Sequence, residues 1–192
     1  MKHAWMLATL PALALLAACG DKSATNSTDT VILDETVADD AGPLTENVID
    51  APALPAQDFA NFSASSDAYE IASAKLAKEK STSDKIKDFA AMLVTEHTDS
   101  TAQLKEAGED AVPAITPDAT LTAEQSANLD KLRAATGAGF DAEFKAQQIS
   151  AHEKALAAMQ SYAASGDMPS IEAFATNAAP VIEKHLGHAQ RL

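Results

Sequence analysis

Apolar residues recur three and four positions apart from Asp58 to the C-terminus, the spacing that lines one face of an α-helix. From Asp58 to about Lys80, Phe59, Phe62, Tyr69 and Leu76 fall on one arc, with small Ser66 and Ser73 between them, which predicts a first helix with a core-facing stripe. Ser81-Thr82-Ser83 offers capping hydroxyls for a second helix, where Ile86, Phe89, Leu93, His97 and Leu104 share a face as far as about Gly108. Pro113 and Pro117 break the chain, and Thr122 with Gln125 has the capping-box spacing for a short helix bearing Leu129 and Leu132, which Gly137 and Gly139 are expected to interrupt or bend. A third long helix is predicted from about Phe140 to Ala164, with Phe144, His152, Ala155 and Met159 on one face and a stop at Ser165-Gly166-Asp167. Pro169 suits the first turn of a fourth, whose stripe is Ile171, Phe174, Ala178, His185 and Leu192 and which Pro180 is expected to kink. Four long helices with short connections at two corners predict an all-α domain over residues 58–192, an antiparallel four-helix bundle with an extra short helix between long helices 2 and 3.

The first 57 residues follow a different pattern. Lys2 and His3 precede an apolar run from Ala4 to Leu16 that ends in small residues before Cys19, so residues 1–18 are expected to be a signal peptide. The run is shorter than the roughly 20 residues a membrane-spanning helix needs, and Pro11 interrupts it. Leu16-Ala17-Ala18-Cys19 resembles the bacterial lipobox, which implies lipidation of Cys19. Gly20 after the cysteine resembles the outer-membrane sorting signal, so the expected location is the outer membrane, facing the periplasm and held by the lipid anchor. Residues 19–57 then read as the lipidated cysteine and a disordered tether: from Gly20 to Gln57 there are eight acidic residues, one lysine and no sustained periodicity.

Charge narrows the partners. Lys and Arg number 14 against 28 Asp and Glu, a formal net charge of −14, so the long-range field repels phosphate backbones and no basic cluster offsets it; nucleic acid is not expected as a partner. The same sign means that anionic lipid would not recruit the domain and that the acyl chains must. Cys19 is the only cysteine, which excludes an internal disulfide. Phosphate-loop, zinc-finger, nucleophile-elbow and His-Glu-x-x-His patterns are all absent from the chain. Catalytic residues are therefore not assigned.

The remaining chemistry lies in the histidines. His97, His152 and His185 occupy core-facing stripes of three different long helices, and Glu70 lies on the other. Counted inward from the turns at 81–83 and 165–168 at about 1.5 Å per residue, all four reach comparable depths, so a single level of the interior could receive one side chain from each helix. Two readings are open. The layer is a metal site, since neutral imidazoles and a carboxylate converging in an apolar bundle are good ligands for zinc, iron or copper. Alternatively it is a buried polar layer in which the histidines hydrogen-bond to Glu70, Tyr69, Gln148 or one another and fix helix register. Glu70, among Ser63, Ser66 and Ala74, could instead reach solvent at the edge of its stripe. His188 shares a face with His185 and could make a site near the C-terminus, although solvated helix-end polarity accounts for it better.

Several runs resemble a bacterial ferritin-like family of unknown function (domain of unknown function 4142), whose members are often described as predicted outer-membrane proteins. They are Glu70-Ile71, Ala74-Lys75-Leu76-Ala77, Phe89-Ala90-Ala91-Met92 with Glu96-His97, Gly137 with Phe140-Asp141, Ala151-His152, Phe174-Ala175, and Pro180 with His185-Leu186 and Ala189-Gln190. The resemblance covers Phe59 to Leu192 and implies a ferritin-like bundle, with no settled activity to carry over. Glu96 stands where the family more often has aspartate, Ser73 where leucine is expected, and Asp67 where glycine is common. A ferritin-type di-iron centre is disfavoured, because it needs Glu-x-x-His on two helices and the chain contains none. The reading that asks least of the sequence is a non-enzymatic, membrane-tethered bundle that binds another envelope component. The alternative is metal binding or metal-dependent redox protection by His97, His152, His185 and Glu70, with a transition metal as the cofactor.

Overall fold

The structure, a computed structural model, describes residues 53–192. The expected signal peptide, the expected lipidation site Cys19 and all but the last five residues of the expected tether lie outside the described residues. The described part is all-helical: α1 (Ala56–Lys80), α2 (Asp84–Glu109), α3 (Ala123–Ala134), α4 (Gly137–Ser165) and α5 (Pro169–Gln190). None of these helices is long and apolar enough to cross a membrane.

Boundaries depart from the sequence expectation where proline and glycine act. α1 starts two residues early because Pro55, with φ fixed at −54°, serves as its N-cap and accepts a 2.9 Å hydrogen bond from the Phe59 N–H. The two glycines open α4 rather than bending α3. Gly137 takes a φ of +53°, which glycine alone adopts without cost, and the helix runs from there, while α3 has already ended at Ala134. Thr122 and Gln125 do form the reciprocal capping box. Ser83, by contrast, makes no side-chain cap bond; its N–H donates to Ser81 Oγ at 3.1 Å and so braces the turn. α5 continues through the exposed Pro180, whose missing N–H faces the solvent side of the helix.

The long helices close a ring in the order α1, α2, α5, α4, with α3 laid against α1 and α4. The α4–α5 turn packs at the C-terminal end of α2, where Ser170 Oγ donates to the Ala107 carbonyl at 2.7 Å. The α1–α2 turn lies at the opposite end, beside the start of α4, where Thr82 Oγ1 meets Asp141 Oδ2 at 3.4 Å. Every neighbouring pair in the ring is therefore antiparallel. Lys80, at the end of α1, ties α3 down by donating to the carbonyls of Leu132 (2.9 Å) and Arg133.

Two apolar clusters fill the ring. Near the α4–α5 turn, Phe59 stacks on Tyr162 (ring centroids 4.1 Å apart) among Leu104, Met159, Ile171 and Phe174. Near the α1–α2 turn, Phe89, Leu93, Leu129, Phe140 and Phe144 pack together. Between them lies a buried polar band containing Asp67, Glu70 and Ser73 of α1, His97 of α2, Gln148 and His152 of α4, and His185 of α5. Hydrophobic burial on either side stabilises the helices, and it also holds this band away from water.

Candidate metal centre

His97, His152 and His185 reach the band from α2, α4 and α5, and none is more than 3% exposed. Their ring centroids are 5.8 Å apart for His97–His152, 5.4 Å for His97–His185 and 5.4 Å for His152–His185. One nitrogen from each ring lies within 4.8 Å of those of the other two. Some point therefore lies within about 2.8 Å of all three nitrogens, against bonds of about 2.0–2.1 Å from imidazole to a metal such as zinc, so closing on an ion asks for about 1 Å of side-chain movement.

Which nitrogen points inward follows from what the other one holds. His97 Nδ1–H donates to Asp67 Oδ1 at 2.8 Å, and Asp67 is steadied by Thr101 Oγ1–H at 3.2 Å. His152 Nδ1–H donates to the Gln148 carbonyl at 2.8 Å, one turn back on its own helix. His185 Nε2–H donates to Glu96 Oε2 at 2.7 Å. A carboxylate or carbonyl only accepts, so each contact sets the tautomer of the neutral ring, in which the remaining nitrogen carries a lone pair. Those remaining atoms, His97 Nε2, His152 Nε2 and His185 Nδ1, are buried and have no hydrogen-bond partner among the described residues.

Glu70 is buried rather than solvent-facing: it is 3% exposed, and neither carboxyl oxygen has a partner with hydrogen-bond geometry. Tyr69, beside it, donates to Gln147 Oε1 at 2.6 Å, and Gln148 Nε2 donates to Ser73 Oγ at 3.2 Å. The histidines therefore do not pair with Glu70, with Tyr69 or with one another, and Gln148 serves through its backbone, not its amide. His188 also stays apart; its ring packs edge-on against Phe89 at 6.3 Å.

Burial dominates the titration of the band. It raises the Glu70 carboxyl to about 7, outweighing the pull of His97 and of the nearby Gln148 amide. It lowers His152 to about 3, because the Gln148 carbonyl cannot offset desolvation and the repulsion of His97 and His185. His185 also falls, since burial outweighs its bond to Glu96. His97 is the exception: burial lowers it, but the Asp67 hydrogen bond and the charges of Glu70, Asp67 and Glu96 together bring it above the usual histidine range.

Two cavities flank the triad. The larger, about 140 Å³, opens between α1, α3 and α4 and is lined by Ser63, Glu70, His97 and His152 at its inner end and by Glu124 and Lys154 at the surface. The smaller, about 60 Å³, lies between α2 and α5 and is lined by Glu96, His97 and His185.

Sequence reasoning missed Asp67 and Glu96 as partners of the histidines. Asp67 was legible only as an aspartate where glycine is common, and Glu96 only as a neighbour of His97 pointing about 100° away from it. That divergence carries Glu96 across to the α5 histidine.

The model of the family described as "Domain of unknown function (DUF4142)" matches residues 45–192, and the chain belongs to that family. No curated protein sequence matches it. Among solved structures, the chain is similar to one described as "CopM in the Cu(II)-bound form", with a TM-score of 0.62, 16% identity, and 72% of this chain and 95% of that chain covered. It is likewise similar to "CopM in the Cu(I)-bound form", with a TM-score of 0.59, 16% identity, and 72% and 94% covered. At that identity the likeness establishes a shared helical-bundle fold.

Proposed function

We propose that this protein binds a transition-metal ion through His97, His152 and His185, and that copper is the ion it holds most tightly. The observation that carries the reading is the set of three buried nitrogens left without partners while the opposite nitrogen of each ring is engaged. A layer that only fixed helix register would pair those nitrogens, because each unmet buried polar group costs about 1–3 kcal/mol. An ion satisfies all three at once. The outer contacts are the kind that metal-binding histidines make, with carboxylates on two rings and a backbone carbonyl on the third.

The choice of metal rests on donor chemistry. An all-imidazole set suits copper, zinc, iron and nickel, and among divalent first-row ions copper stands highest in intrinsic affinity. The structurally similar CopM is described in Cu(II)- and Cu(I)-bound forms, so a bundle of this kind accommodates copper in that protein. Glu70 is not among the converging donors; from α1 it lines the cavity beside them. Ferritin-type di-iron chemistry finds no support in the residues, since the band offers Glu70 alone where that centre requires several glutamates. The leader and the Leu16–Cys19 tetrad support a lipid-anchored protein facing the periplasm, where such a site would buffer or carry copper at the membrane.

The test is the metal content of the protein purified without chelator or affinity metal, followed by Cu(II) titration of wild type and of His97→Ala, His152→Ala and His185→Ala. One ion per chain in wild type, lost in each variant while the helical circular-dichroism signal persists, is the expected result. Unchanged affinity in His97→Ala and His152→Ala would end the reading. It would return the bundle to a structural role, with its function sought in an envelope partner.

A further inference from the structure

An ion on the three imidazoles does not account for the rest of the polar band. Among the described residues Ser63 Oγ is also buried without a partner and the Glu70 oxygens have none with hydrogen-bond geometry, the Gln148 amide lying nearby; the two residues are 2% and 3% exposed. Ser63 and Glu70 are seven positions apart, two turns along the same face of α1. Both line the larger cavity, together with His97 and His152. The three nitrogen donors come from α2, α4 and α5, so the side of the ion facing α1 receives no imidazole. That side is the one on which the cavity lies.

We propose that the larger cavity binds a small Lewis base, an inorganic ligand of two or three non-hydrogen atoms, which completes the coordination of the metal and accepts a hydrogen bond from Ser63 Oγ at its far end. The inference rests on the metal-binding reading and adds a ligand to it. The volume suffices: about 140 Å³ is several times the roughly 10–15 Å³ that one water molecule needs on the same measure and close to the size of a cavity that admits benzene. The wall fits too, with Ala155 and Met159 apolar along the passage and Ser63 and Glu70 polar at the inner end. A passage exists, because the lining continues from buried His152 to exposed Glu124 and Lys154, whose 2.6 Å ion pair stands at the surface end. A ligand with a lone pair for the metal displaces any water that enters the open position.

The probe is azide, added to the full chain loaded with one equivalent of Cu(II) and followed by its charge-transfer absorption and by the copper electron paramagnetic resonance spectrum. Wild type is expected to bind one azide saturably, with a shift in the copper spectrum. Ser63→Leu, which fills the inner end without removing a metal-binding side chain, is expected to weaken azide at least about tenfold while copper affinity and the azide-free spectrum stay as in wild type. Should Ser63→Leu lose its helical signal, Ser66→Phe on the half-buried wall takes its place. A copper spectrum indifferent to azide, in protein whose copper is lost on His152→Ala, would overturn the inference by showing that the protein closes the fourth position itself. So would wild-type azide affinity in a folded, cavity-filled variant. Absence of copper binding in wild type would instead remove the metal-binding reading and this inference with it.

Discussion

Asp67 and His97, thirty residues apart in the chain, meet between α1 and α2 in a 2.8 Å contact with side chains only 8% and 4% exposed. The contact engages Nδ1 and leaves Nε2 unpaired, and against the effect of burial the Asp67 hydrogen bond and the charges of Glu70, Asp67 and Glu96 make His97 the most basic of the three. Asp67→Ala leaves a buried N–H without an acceptor. Expected are a loss of about 1–3 kcal/mol in stability and a metal affinity lower by about 10- to 100-fold. Asp67→Asn keeps an acceptor and loses less of both. Chemical unfolding of the metal-free protein and a competition titration against a chelator measure the two effects separately.

Glu70 and His152 pull the pH dependence of the metal-free protein in opposite directions. The folded pKa of Glu70 is raised from 4.5 to about 7, so its stabilising share is complete below 4.5 and is lost as pH rises toward 7, to the extent of about 3 kcal/mol. The folded pKa of His152 is lowered from 6.5 to about 3, so its share is complete above 6.5 and is lost as pH falls toward 3. Between 4.5 and 6.5 the two slopes oppose each other. Glu70→Gln removes one of them, and stability is then expected to fall more steeply on acidification over that window and to exceed wild type at pH 8. Denaturant midpoints at several pH values, in chelator, decide it.

Glu96 holds His185 from a position whose side chain is 32% exposed, so it is a softer support than Asp67. Glu96→Gln keeps a hydrogen-bond acceptor and is expected to change stability by less than about 1 kcal/mol while lowering metal affinity up to about tenfold. Glu96→Ala frees the ring to turn and lowers affinity further. Equal affinity in all three proteins would show that packing alone orients His185.

Gly108 illustrates a constraint outside the site. Its carbonyl accepts the Ile115 N–H at 2.9 Å, and a Cβ added there would press against the Ile115 carbonyl oxygen, which belongs to the backbone and cannot swing aside. Gly108→Ala is therefore expected to cost about 1–3 kcal/mol through displacement of the 110–115 turn, despite the higher helix propensity of alanine. The lowered thermal midpoint should leave the metal-to-protein ratio at one.

The helices and the level of the histidines were legible because periodicity and helical rise are local properties. Residues that repeat every three or four positions must share a face, and residues near the middle of long helices reach the same depth from either end. The depth count therefore works although the two turns lie at opposite ends of the bundle. Helix starts were less legible, as at Pro55 and Gly137, where one backbone angle decides the boundary.

The sequence by itself determined that four amphipathic helices would bury a band containing His97, His152 and His185, because burial of the apolar stripes leaves those positions nowhere else to go. Only the tertiary structure decided which nitrogen of each ring is free, that Asp67 and Glu96 hold two of the rings, and that Glu70 faces a cavity instead of solvent. Those outcomes depend on how far each helix is rotated about its axis and on which rotamer each side chain takes. Both are set by neighbours on other helices, which no spacing along a single chain specifies.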